Sequence, residues 1–208
     1  MQKVTPYSTR QGAARALDNG GRFYNIFTAA GDHVVSKAEL SKAAGVLGGY
    51  DGAFLFFELA TAGLTSRDRE DLVDLFEPTL RQRYRRSRPD SLKPSEFNAS
   101  CEAGEPYIVE SRFSRRQDEE TIDGVIMIPT MIGKTPSVMP MPVSTVYDVL
   151  EVFDDPAPSG PGCLVFLKKG TKVPAGPIRW GGMSRRMEKG KTGEHRLYLE
   201  PAYYTPLA

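Results

Sequence analysis

Three groups of side chains in this sequence have types and spacings that could do chemistry. Asp32, Ser36 and Glu39 fall in the run GDHVVSKAEL, and their oxygens, with the Val34 carbonyl, could contact a hard cation. The same Ser36–Glu39 spacing also fits a capping box, in which hydroxyl and carboxylate each take a backbone N–H at a helix start. The run RQRYRRSRP gathers Arg81, Arg83, Tyr84, Arg85, Arg86 and Arg88. Such a cluster could grip phosphates while its tyrosine stacks on a base. Finally, Cys101 or Cys163 could pair with His195 as thiol and imidazole.

The competing readings are weighed by number and charge. A cation that takes six to eight oxygens is poorly served by two carboxylates, so Ser36 and Glu39 are read as a helix cap and no cofactor is expected. Asp90, Glu102 and Glu105 dilute the arginine cluster, and 27 Lys and Arg nearly cancel 26 Asp and Glu. The cluster therefore reads as a solvated helix C-terminus that complements the macrodipole, with nucleic-acid binding as the alternative. Two histidines exclude a multi-histidine metal site, the cysteines match no metal spacing, and no G-x-x-x-x-G-K-[ST] loop is present. Catalysis is not expected, although a cysteine-dependent enzyme stays as an alternative. No apolar run approaches the roughly 20 residues needed to span a bilayer, and MQKVTPYSTR lacks a secretory stretch. The expected location is cytoplasmic, without membrane association.

Composition then divides the elements that must position these residues. Residues 8–86 contain one proline, Pro78, and are rich in Ala, Leu and charge pairs; after Pro89 prolines recur and Val, Ile and Tyr gather in short runs. Thr9 or Ser8 would cap a first helix, and Phe23 to Phe27 would lie on a second. Leu40, Ala43, Ala44 and Leu47 give an i, i+3, i+4, i+7 face. The run Phe54 to Leu59 must be buried. Thr65 with Asp68 opens a further helix that presents Leu72, Leu75, Phe76, Leu80 and Tyr84. Beyond the junction, strands are expected at 107–109, 122–128, 143–153, 163–167, 178–180 and 196–204, with STVYDVLEVF also suiting a helix.

The segment FYNIFTAAGDHVVSKAELSKAAGVLG resembles the EF-hand family of calcium-binding helix–loop–helix units. Phe23 and Phe27 match the aromatics of the entering helix, Val35 the loop position that pairs with a second hand, and Glu39-Leu40 the loop end. Leu47-Gly48 would close the exit helix. Thr28, Ala30 and Asp32 stand at the first, third and fifth ligand positions, and His33 stands where the family uses glycine. The resemblance therefore implies a degenerate, metal-free hand, whose partner loop would place Leu64 opposite Val35.

These readings give an α+β protein: an N-terminal bundle of short, EF-hand-like helices followed by a small antiparallel β-sheet or partly open barrel. The expected division is a helical domain at 1–88, a linker at 89–106 and a β-rich domain at 107–208. The expected function is non-catalytic binding, with another protein as partner.

Overall fold

The chain begins on a strand. β1 (Gln2–Lys3) leads to α1 (Arg10–Leu17), to a ribbon of β2 (Arg22–Phe23) and β3 (Ile26–Phe27), and to α2 (Lys37–Ala44), α3 (Tyr50–Ala60), α4 (Ser66–Val73) and α5 (Pro78–Arg86). β4 (Asp90–Leu92), one 3-10 turn (Pro94–Glu96) and α6 (Phe97–Ser100) follow. The remainder is β5 (Pro106–Ser111), β6 (Phe113–Arg116), β7 (Glu120–Ile132), β8 (Thr135–Phe153), β9 (Cys163–Lys168), β10 (Ile178–Met187) and β11 (Arg196–Pro206). The structure, a computed structural model, describes residues 1–208 apart from 24, 25, 28, 47, 48, 118, 133, 134, 157, 159, 161, 188–195 and 208.

Local chemistry sets the helix ends. Thr9 accepts from Gly12 N to cap α1, and Thr65 accepts from Asp68 N to cap α4. α2 begins on the Ser36–Glu39 capping box and stops at Gly45, whose φ of 67° suits a residue without a Cβ. Pro78 occupies the first turn of α5, where its missing N–H leaves nothing unpaired.

Among the described residues, nine strands form one mixed sheet in the order β4-β5-β10-β11-β9-β8-β6, with β1 beside β11 and β7 beside β8. β1–β11, β4–β5 and β9–β11 are parallel pairs. Only Arg112 separates β5 from β6, yet β5 pairs with β10 and β6 pairs with β8. Val109, Val152, Val165, Trp180 and Leu199 of these strands form one buried core with Phe97 of α6. The buried indole of Trp180 donates to Ser111 Oγ at 2.8 Å, and that hydroxyl donates to the Ile178 carbonyl. No polar group of the pair is left unmatched.

α3 joins the helices to the outside of this sheet. Every residue from Ala53 to Ala60 is buried, so the helix needs cover all round. Other helices cover one side. Ile108 of β5 and Tyr203 of β11 belong to the same apolar cluster and cover the other, while Tyr203 donates its hydroxyl to the Ala44 carbonyl at 3.0 Å.

These pairings correct the expected architecture. The N-terminal half is no self-contained bundle of EF-hand-like helices: its first strand is laid against the last one, and α3 is completed by the sheet. Phe23 and Phe27 lie in the β2–β3 ribbon, where an entering helix was expected. The sheet is large and mixed, not a small antiparallel sheet or partly open barrel. STVYDVLEVF is strand, with Tyr147 and Val149 buried on one face and Val152 on the other. Burial on both faces erases the alternation that identifies a strand. Residues 89–106 carry β4 and α6, and β4 pairs in register with β5.

The register of β10 against β11 shifts between Gly181 and Gly182. A Cβ on Gly182 would lie 2.3 Å from the Glu200 carbonyl oxygen and 2.6 Å from Pro201 Cα, both backbone atoms. One on Gly181 would meet the end of the Leu59 side chain at 2.9 Å. Gly182→Ala is therefore expected to destabilise by about 3 kcal/mol and Gly181→Ala by about 1 kcal/mol in urea denaturation, an order that would reverse if side-chain rather than backbone crowding governed the site.

Candidate functional site

Glu39 is fully buried and both of its carboxylate oxygens are engaged. Oε1 accepts from Gly20 N at 2.8 Å; Oε2 accepts from Ser36 N and Ser36 Oγ, each at 2.9 Å. Asp32 turns into its own loop and accepts from Val34 N at 2.9 Å. The structure thus joins Ser36 to Glu39 and directs Asp32 elsewhere. Asp18, which sequence reasoning missed, holds this loop by accepting from Gly31 N at 2.6 Å and His33 N at 2.9 Å. It fixes His33 at a φ of 63°, a left-handed conformation that costs a non-glycine residue energy. Nothing local in the sequence marks Asp18, which lies 13 residues before its first partner. Val35 forms a bridge with Phe76, and Leu64 lies elsewhere in the core. Thr28, Leu47 and Gly48 lie outside the described residues. Among the described residues no group of three or more His, Cys, Asp or Glu is placed to hold a metal.

The arginine run is divided by helix geometry. Tyr84 is 4% exposed, donates its hydroxyl to Glu58, and meets Phe54, Phe57 and Phe76 edge-on at 5.3–5.7 Å between centroids. Burial first, and the Glu58 carboxylate second, raise the pKa of its phenol. A ring so enclosed has no face left for a base. Arg81 donates to the Asp74 and Phe76 carbonyls, and Arg88 Nε lies 2.8 Å from Glu58. Arg83 lies over the Tyr50 ring, Arg85 is 3.7 Å from Asp74, and Arg86 is exposed. The cluster is therefore three outward heads and three structural residues.

The cysteines carry no activated thiol. Burial pushes the Cys163 thiol well above its ordinary range; burial, with Asp90 adding to it, pushes Cys101 up to about 12. A nucleophilic cysteine needs the opposite shift. His195 lies outside the described residues.

The feature that sequence reasoning caught only in part, as separate strands at 122–128 and 143–153, is a long ribbon. β7 and β8 stay paired from Glu120–Tyr147 to Ile132–Thr135, while β9 reaches β8 only from Tyr147 onward and β6 only from Leu150. From Thr145 outward, β8 pairs with β7 alone among the described residues. Ten residue pairs from Asp123 onward make an arm about 33 Å long. Of eight large hydrophobic side chains exposed among the described residues, five stand on it: Ile126 (52%), Met127 (63%), Val138 (58%), Met139 (55%) and Met141 (45%). Ile126, Ile128, Met139 and Met141 share the face of Ile122 and Tyr147, which runs into the buried cluster of Phe166 and Tyr198. Met127, Pro129, Val138 and Pro140 share the opposite face. Pro129, Pro140 and Pro142 all fall in the same class of cross-strand pair. A proline in a paired strand must turn its nitrogen outward, so each removes a donor from a free edge of the arm.

No protein-family model and no curated protein matches the chain. Among solved structures, the crystallised N-terminal domain of an archaeal MCM is similar at 11% identity over 82% of this chain and 84% of that one, with a TM-score of 0.36. A likeness at that level assigns neither fold nor function. No helix among the described residues is long and apolar enough to cross a membrane.

Replacing Glu39 by Ala strips an acceptor from three buried donors and is expected to cost about 2–3 kcal/mol. Ser36→Ala loses the cap bond from Glu39 N and the hydroxyl's bond to Glu39 Oε2, and is expected to cost about 1 kcal/mol. Urea titrations check the order, and calcium is expected to leave the wild-type midpoint unchanged. A midpoint that rises with calcium would show that Glu39 serves a metal.

Proposed function

We propose that the chain is a non-catalytic binding protein that assembles through its hairpin arm, and that the arm packs on the arm of a second copy. The observation that carries this reading is exposed apolar area on both faces of an isolated ribbon. Two-stranded ribbons are marginal in water on their own, so an arm of this length needs cover. Contiguous exposed apolar surface is also what interaction sites present.

Edge and charge decide the kind of contact. The prolines remove donors chiefly from the β8 edge, which disfavours strand addition there and leaves the side-chain faces. A bilayer would leave both edges unsatisfied in hydrocarbon. Between Asp123 and Asp148 the sequence has one charged residue, Lys134, and the whole chain carries a net charge of +1, so nothing repels a second copy. Symmetric association of identical chains is also the commonest solution for soluble oligomers. Two arms stacked along their length would bury about 1,000 Å², at the low end of specific interfaces, which points to a reversible dimer.

Sedimentation velocity of the full chain from about 1 to 100 μM brackets the dissociation constant expected for an interface of that size. The expected result is a monomer that passes to a dimer as concentration rises. Met139→Glu, on the Ile/Met face, should keep the chain monomeric, while Val138→Glu on the opposite face should leave assembly within a few fold. A monomer at every concentration would overturn the reading, as would an unaltered dimer in Met139→Glu. Co-sedimentation with phosphatidylcholine vesicles would reassign the arm to lipid.

A further inference from the structure

A second site lies away from the arm, where the helices meet the edge of the sheet. A cleft of about 500 Å³ is lined by Arg69 of α4, Arg88 after α5 and Arg179 of β10, with Glu58, Asp90 and Glu110. Three guanidinium groups from three separate elements converge there, a placement that no local sequence pattern requires. Two carboxylates hold parts of them. Glu58, itself buried, takes Tyr84 and Arg88 and lies 3.7 Å from Arg69; Glu110 takes Arg179. Glu58 therefore offsets one positive charge while facing two.

Hydrogen bonding identifies which groups are left open. Only four buried side-chain polar atoms among the described residues lack a partner, and two of them, Arg69 Nε and Arg179 Nε, belong to this cleft. A guanidinium with a free Nε–H offers that donor beside an Nη–H on one edge, the fork that takes two oxygens of a carboxylate or phosphate. We infer that the cleft is a binding site for a small oxyanion, a carboxylate or a phosphate group, held by Arg69 and Arg179. Arg88, fixed by Glu58, is a positioning residue. Glu110 and Asp90 keep the local field near neutral, so selection rests on the paired oxygens rather than on net charge.

The test follows the unfolding midpoint of the full chain against sodium phosphate and, separately, sodium acetate, each balanced with sodium chloride to constant ionic strength. A saturable rise with either anion is expected, since a ligand that binds only the folded state raises its stability. The anion that gives it tells phosphate from carboxylate. Arg69→Lys and Arg179→Lys keep the charge and lose the fork, and each should weaken half-saturation by about tenfold, whereas Arg83→Lys on the far side of α5 should respond as wild type. If a variant is too unstable to scan, phosphorus NMR line broadening of inorganic phosphate by wild type, reversed by excess acetate, provides the same decision. No rise beyond the chloride control, or an equal rise in both fork variants, overturns the assignment.

Discussion

One strand ties the body of this protein to its arm. Thr135–Phe153 pairs with β9 and β6 over its second half, where Val149 and Val152 are buried on opposite faces, and with β7 alone over its first. Register in a strand has a period of two, so fixing Val152 inward fixes the face of every residue back along the arm. Ile126, Met139 and Met141 stand on one side of the ribbon because Tyr147 and Val149 are locked into the sheet. A rigid base with a fixed facing is what lets an otherwise marginal ribbon present a defined surface.

The helical layer depends on a buried polar group rather than on apolar contact alone. Glu58 sits on α3, 7% exposed, and gathers Tyr84, Arg88 and Arg69 from three later segments. A buried carboxylate is tolerated only when it is well partnered, and truncating such a partner costs more than the pair itself contributes. Part of the arginine cluster thereby becomes structural: its inner members bind the helices to one another and to the cleft beside β10. The three members without a structural role, Arg83, Arg85 and Arg86, are too few, with Arg85 beside Asp74, to make a continuous phosphate track.

Short-range features were legible in the sequence. The caps at Thr9, Ser36 and Thr65 are three-residue patterns whose physics is local, and the apolar face through Leu80 and Tyr84 has helical spacing. The segments 107–109, 163–167 and 196–204 show the β-branched and aromatic enrichment of strands. Long-range pairings were not legible. Nothing in Gln2-Lys3 announces a parallel partner at Tyr203-Tyr204, and Asp18 reveals its role only when the loop at Gly31–His33 folds over it. Of the arm, the strand expected at 122–128 is present, but 129–142 was missed because its residues violate strand composition. Four prolines fall in residues 129–142, and apolar side chains on both faces remove the alternation of a half-buried strand. Phe23 to Phe27 failed for a related reason, since four aromatic and aliphatic residues in five suit a short ribbon as well as a helix.

The central claim is that the arm is covered by another copy, and amide hydrogen exchange at two protein concentrations tests it most directly. If arms stack on the Ile/Met face, the amides of Ile126, Ile128, Met139 and Met141 should exchange more slowly as concentration rises, while those of Val149 and Val152 in the body stay constant. Arm protection that is the same at both concentrations would contradict the account.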